Sequence, residues 1–185
     1  MVAGRERDLF GYRIGNFFIL LLLVLVFLPV TPWASSAPFS IEKPANWREL
    51  KEMFGVPYSL VGPKIQQANR PVITVTPAAH SQFPQDFFVK GEYFTSFQES
   101  KSEWLKSANG RVIRFYHDSS PKMKHLKKAY MTGVSYLLDS QAYLERSYYM
   151  PCSDNLYLVK YLLPLVVKDR FELLMERSVR GFQCK

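Results

Sequence analysis

The chain of 185 residues carries 24 Lys+Arg against 16 Asp+Glu, a formal charge of +8, with 48% apolar residues, two Cys and three His. That length suits one ordinary domain with a sizeable core, and an aromatic content of 15% excludes a disordered composition. Two cysteines exclude a disulfide-dense miniature fold and a four-cysteine zinc site.

The first element is an unbroken apolar run from Phe17 to Leu28. Arg5, Arg7 and Arg13 precede it against Glu6 and Asp8; Pro29, Pro32 and the small residues Ala34-Ser35-Ser36-Ala37 follow. A basic start, an apolar run of about 7–15 residues and small residues at a cut are the layout of a secretory signal. A bilayer-spanning helix needs about 20 apolar residues. The expected cut follows Ser36, which makes residues 1–36 a signal peptide and 37–185 a single extracytoplasmic domain, periplasmic or secreted. The alternative keeps the leader as an uncleaved anchor, the expected route to a membrane. In both cases the domain works outside the cytoplasm.

Phe39 to Lys43 alternates apolar and polar residues like a half-buried strand. Asn46-Trp47-Arg48-Glu49 has a capping residue with a Glu three positions on, and predicts a short helix that shows Trp47, Leu50 and Phe54 on one side and stops at Gly55. Tyr58 to Val61 reads as a strand, and the β-branched stretch Pro71 to Thr76 as a clearer one. A loop through His80 leads to a long helix from about Asp86 to Ala108. Its stripe is Phe87, Phe94, Phe97, Trp104, Leu105 and Ala108; Gly91 weakens it and Gly110 stops it.

From Arg111 the period becomes two. Strands are expected over Arg111–Tyr116, Ala129–Asp139, Ala142–Met150 and Leu156–Leu163, with short turns that make an antiparallel meander. A final helix from about Val167 to Phe182 sets Phe171, Leu174, Val179 and Phe182 on one face. Strands gathered in runs with helices between them define an α+β fold: an antiparallel sheet, with its C-terminal four-strand meander, sandwiched between helices.

Cys152 falls at the tip of the last hairpin and Cys184 is the penultimate residue. In an exported protein a structural disulfide is the expectation. The strand out and the helix back differ by roughly 12 Å, at about 3.3 and 1.5 Å per residue, which the tail can close. Two buried thiols or a redox pair are the alternatives, although redox pairs usually lie close in sequence.

Catalytic chemistry has no recognisable motif. His80, His117 and His125 lack partners at metal-ligand spacing, so no metal is expected. No nucleophile elbow or phosphate-cradling glycine loop occurs, so neither a catalytic residue nor a cofactor is assigned. His117-Asp118-Ser119-Ser120 contains triad letters but reads as a polar turn. Glu99 and Glu103 read as a solvated helix face beside Lys101 and Lys106. An enzyme would need a site assembled from distant residues.

The sharpest charge feature is the hairpin loop with Lys122, Lys124, His125, Lys127 and Lys128. It is a possible anion-binding segment for anionic lipid, cell-wall polymer or an acidic envelope protein; a merely solubilising loop is the plainer alternative. Nucleic acid is not expected, because the run lacks Arg and interleaved aromatics. Tyr143, Tyr148, Tyr149, Tyr157 and Tyr161 read as sheet packing rather than a binding platform.

Element order over residues 39–183 resembles the PsbP-like superfamily, the fold of the extrinsic photosystem II protein and the Ran-binding import factor. The similarity runs through the opening strand with Pro44 and Trp47, the long helix ending at Ser107-Ala108-Asn109-Gly110, the meander, and the terminal helix with Phe171 and Ser178-Val179. It implies a sheet between helices and a non-catalytic accessory or adaptor role. No family binding residue carries over, and the Cys152/Cys184 pair departs from the family pattern. A cystatin-like or nuclear-transport-factor-like sheet is the rival. The functional expectation is an exported, non-catalytic accessory or binding domain of the cell envelope.

Overall fold

The chain enters its sheet through a turn, and that turn overrides the helix expected at Asn46. The computed structural model describes residues 38–53, 55–78, 92–153 and 155–185. The expected leader, His80, Phe87, Gly91 and the start of the long helix lie outside the described residues. Trp47 N–H donates to the Pro44 carbonyl at 3.2 Å. Asn46 between them has φ 66, in the left-handed region, whereas a helix cap needs an extended backbone. Arg48–Met53 is therefore a strand and not a helix. Pairing with the strand Val56–Val61, through Arg48↔Val61 and Lys51↔Tyr58, overrides local propensity.

In chain order the strands are β1 (Phe39–Ser40), β2 (Arg48–Met53), β3 (Val56–Val61), β4 (Val72–Ala78), β5 (Arg111–Asp118), β6 (Tyr130–Leu138), β7 (Gln141–Cys152), β8 (Asn155–Pro164) and β9 (Gln183–Cys184). Helix α1 (Glu92–Ser107) precedes β5, and α2 (Lys168–Arg180) follows a 3-10 turn at Leu165–Val167. Seven strands form one antiparallel sheet in the order β2-β3-β4-β8-β7-β6-β5. The expected meander is present as β5 to β8. It joins the first three strands through β4 and β8, with Ile73 opposite Tyr161 and Val75 opposite Val159. The tail strand β9, which the sequence pattern does not announce, pairs with β1 through Phe39↔Cys184.

Local chemistry explains the joints. Asp139 and Ser140, with φ 48 and 64, make the two-residue turn between β6 and β7. Helix α1 ends as Gly110 N–H donates to the Leu105 carbonyl at 2.7 Å and Asn109 N–H to that of Lys106 at 3.2 Å. Asn109, φ 55, takes the left-handed position expected of Gly110. The glycine is needed one residue later, because a Cβ on Gly110 would meet the Leu137 carbonyl oxygen at 2.8 Å.

The helices cover opposite faces of the sheet, as the alternation of β7 and β8 requires. Leu144, Tyr148, Met150, Tyr157, Val159, Tyr161 and Leu163 face α2, where Phe171, Met175 and Val179 complete the main core. Tyr143 of β7 with Val134 and Tyr136 of β6 faces α1, whose Leu105 fills the smaller core. Met175 occupies the buried place expected of Leu174, because positions 171, 175, 179 and 182 share one side of a 3.6-residue helix. Trp104 of the expected α1 stripe is 44% exposed and lies edge-on to Tyr136.

Candidate functional site

One end of the sheet gathers the groups that the sequence singles out. There β5 runs into the loop before β6, with Asp118 opposite Met131. The β7–β8 hairpin turns beyond Cys152↔Asn155, and α2 gives way to β9. Cys152 and Cys184 form a disulfide with a Cα–Cα distance of 5.7 Å across a separation of 32 residues. The bond ties the tail to the hairpin tip. Lys185 N–H donates to the Pro38 carbonyl at 3.0 Å, which secures the tail on its other side.

The basic loop is held against this frame. Pro121 is buried, and Met123 and Leu126 pack on the main core. Lys124 N–H donates to the Arg180 carbonyl at 2.9 Å, satisfying an orphan acceptor at the end of α2. Burying Pro121, Met123 and Leu126 turns Lys122, Lys124, His125, Lys127 and Lys128 outward, and all five are exposed. Among the described residues none of the five forms an ion pair. Exposed Arg177 and Arg180 stand next to the loop on the last turn of α2. The negative end of the helix dipole favours this concentration of cations.

Within the fold, charge is treated in the opposite way. Glu176 of α2 is buried against the sheet and accepts hydrogen bonds from the Tyr148 hydroxyl at 2.8 and 3.0 Å and the Tyr161 hydroxyl at 2.8 Å. The Arg146 guanidinium donates to it at 2.5 Å and Arg180 Nε at 3.1 Å. Arg146 also bridges Glu172 at 2.9 Å. Burial alone would raise the Glu176 pKa, but the Tyr161 hydroxyl and Arg146, with Tyr148 and Arg180, hold it below the usual carboxylate range. Burial, and then the charge of Glu176, push the hydroxyls of Tyr148 and Tyr161 up. With its oxygens engaged by four side chains, Glu176 clamps α2 to β7 and β8. On the other face Glu145 accepts Lys101 at 2.7 Å, with Lys160 at 3.6 Å.

No sequence motif announces Glu176 or Glu145, whose partners come from other elements of the fold. The triad letters resolve into a turn: Ser120 N–H donates to Asp118 Oδ1 at 2.9 Å, and exposed His117 stacks near Phe94. Glu99 and Glu103 are exposed on α1. All five tyrosines are buried, Tyr143 and Tyr149 on the α1 side and Tyr148, Tyr157 and Tyr161 on the α2 side. Among the described residues no three His, Cys, Asp or Glu come close enough to hold a metal ion. A shallow open depression along β5, about 470 Å³, includes Arg114, His117 and Arg146. Its Arg146 is already engaged by Glu172 and Glu176.

Sheet order, two covering helices and the end-on tail define an antiparallel α+β fold that resembles the PsbP-like superfamily. Cyanobacterial PsbP (CyanoP) from Synechocystis is similar over 80% of this chain and 87% of its own, with 10% identity and a TM-score of 0.52. LpqN, involved in cell envelope biogenesis of Mycobacterium tuberculosis, is similar over 78% of this chain and 82% of its own, with 12% identity and a TM-score of 0.50. No family model and no curated protein sequence matches the chain. At these identities the likeness establishes the fold.

Proposed function

We propose that this chain is an exported, non-catalytic accessory domain of the cell envelope that binds a partner through its basic end. The observation that carries the reading is the loop Lys122–Lys128, which Met123 and Leu126 fasten to the core and the Lys124 N–H to α2, while its cations remain exposed and, among the described residues, form no ion pair. A loop that only aids solubility needs no such anchoring. The leader at residues 1–36 supports export, and the Cys152–Cys184 bond suits an oxidising compartment. The fold shared with LpqN, a protein involved in cell envelope biogenesis, and with cyanobacterial PsbP agrees with an accessory role. The buried carboxylates support the non-catalytic reading, since Glu176 is saturated by its own protein.

Two measurements test it. The mass of the protein recovered from its host reveals whether the leader is removed; a full-length chain in the cytoplasm would end the export reading. Chemical cross-linking in the envelope fraction, followed by pull-down, should yield a discrete product that disappears when Lys122, Lys124, Lys127 and Lys128 are replaced by Gln. A product indifferent to these lysines would move the binding surface elsewhere.

A further inference from the structure

The outer side of α2 carries a feature that folding does not explain. Leu173 is 80% exposed and Leu174 39% exposed, although the same helix buries Phe171, Met175 and Val179 well; Val166, in the 3-10 turn just before the helix, is also 80% exposed. Leu173 lies opposite the buried stripe, and exposed Arg170, Arg177 and Arg180 surround it at helical spacing. Asp169 is the exposed acid among them. The Lys124 N–H bond to the Arg180 carbonyl fastens the basic loop to the C-terminal end of this helix, next to its last-turn arginines. Leu173, 80% exposed, projects from the helix rather than lining a recess. Exposed leucines ringed by arginines, with a lysine-rich loop at one edge, match the interface of an anionic bilayer. There the leucines enter the headgroup boundary while arginine and lysine stems reach the phosphates.

Building on the basic end as the binding surface, we propose that the outer face of α2 and the Lys122–Lys128 loop together dock on an anionic lipid membrane. Leu173 is its central apolar contact. Coulombic attraction brings the surface to the bilayer, and burial of Leu173 and Leu174 holds it there. Each lysine near such a surface contributes enough that replacing four should lower vesicle affinity on the order of 1,000-fold. Leu173→Ser with Leu174→Ser should lower it about tenfold and leave the salt dependence of the remainder intact.

Because the full chain contains an apolar leader, the readout must report on the surface itself. An environment-sensitive dye placed at Leu173→Cys in the full chain should brighten several-fold and shift to the blue on vesicles of phosphatidylcholine with phosphatidylglycerol. It should not respond to phosphatidylcholine alone. The same dye at Glu103→Cys on α1 should stay dark on both. The Leu173 signal should vanish with the four Lys→Gln changes, in protein whose circular dichroism is unaltered. No signal at Leu173 on anionic vesicles, or equal signals at Leu173 and Glu103, overturns the proposal. A dark Leu173 dye combined with a lysine-dependent protein cross-link in the envelope would leave the basic end as a protein-binding surface and refute the lipid. Loss of neither signal on lysine replacement would refute both readings.

Discussion

Arg146 and the Lys122–Lys128 loop are both strongly cationic, and the fold treats them in opposite ways. Arg146, in the middle of β7, is matched by Glu172 and Glu176 and surrounded by tyrosines. The loop has its apolar residues pressed inward and its cations left without acids, among the described residues. Burying a charge is tolerable only when it is paired and hydrogen-bonded, so the interior fixes the partner of every ion it admits. The surface has no such obligation, and charge left unpaired on a well-anchored segment is available to something outside the protein. The contrast separates what holds the sheet to α2 from what the domain presents to a partner.

The largest expected effect comes from opening the interior. Glu176→Ala leaves the Tyr148 and Tyr161 hydroxyls without their acceptor and Arg146 with Glu172 as its remaining acid, and should destabilise the fold by about 3–5 kcal/mol in a denaturant titration. Partner binding per folded molecule should be unchanged. Removing the disulfide with Cys152→Ala and Cys184→Ala should cost about 3–4 kcal/mol for a loop of this length, in the chain-entropy account. That change crosses the divide, because it also loosens the tail beside the basic loop. Glu145→Gln should cost less, about 1–2 kcal/mol. Its partner Lys160 is 42% exposed and can turn to water.

Acid should act through the same interior. The Glu176 pKa is depressed in the folded protein, so its contribution is present above the unfolded value of about 4.3 and is lost as pH falls through the folded value. Stability should therefore hold from neutral pH to about pH 5 and decline below it, and Glu176→Gln should flatten the decline. At the alkaline end burial, with Glu49 nearby, pushes the Tyr58 hydroxyl up to about 12. That stability is present below about pH 10 and lost as pH rises from there through the folded value. Smallest of all should be the effect of replacing the four loop lysines with Gln on unfolding, within about 0.5 kcal/mol, while binding through the basic end is abolished.

The meander was legible because its alternation is local: Val134, Tyr136 and Leu138 declare a face without reference to any other strand. The Cys152–Cys184 pairing was legible because two elements of known rise constrain the distance between its ends. The strand Arg48–Met53 was not, since its residues suit a helix and only Val56–Val61 makes it a strand. The Glu176 clamp was hidden for a related reason. Its partners come from β7, β8 and α2, and the register that brings Arg146 opposite Tyr161 is a tertiary fact. Leu174 and Met175 are equally apolar neighbours, and a small rotation of α2 decides which one is buried. The basic loop is a charge run in the sequence, but its anchoring by Pro121, Met123, Leu126 and the end of α2 is visible only in the fold.

The most direct test of a binding surface at the basic end is site-specific photo-crosslinking in intact envelopes. A photoreactive residue at His125 of the full chain should give a discrete adduct with a lipid, polymer or protein of the envelope. The adduct should be lost at high salt and when Lys122, Lys124, Lys127 and Lys128 are Gln, and the same probe at Glu99 should give none. Equal labelling from His125 and Glu99, or an adduct at His125 that ignores both salt and the lysines, would contradict the assignment.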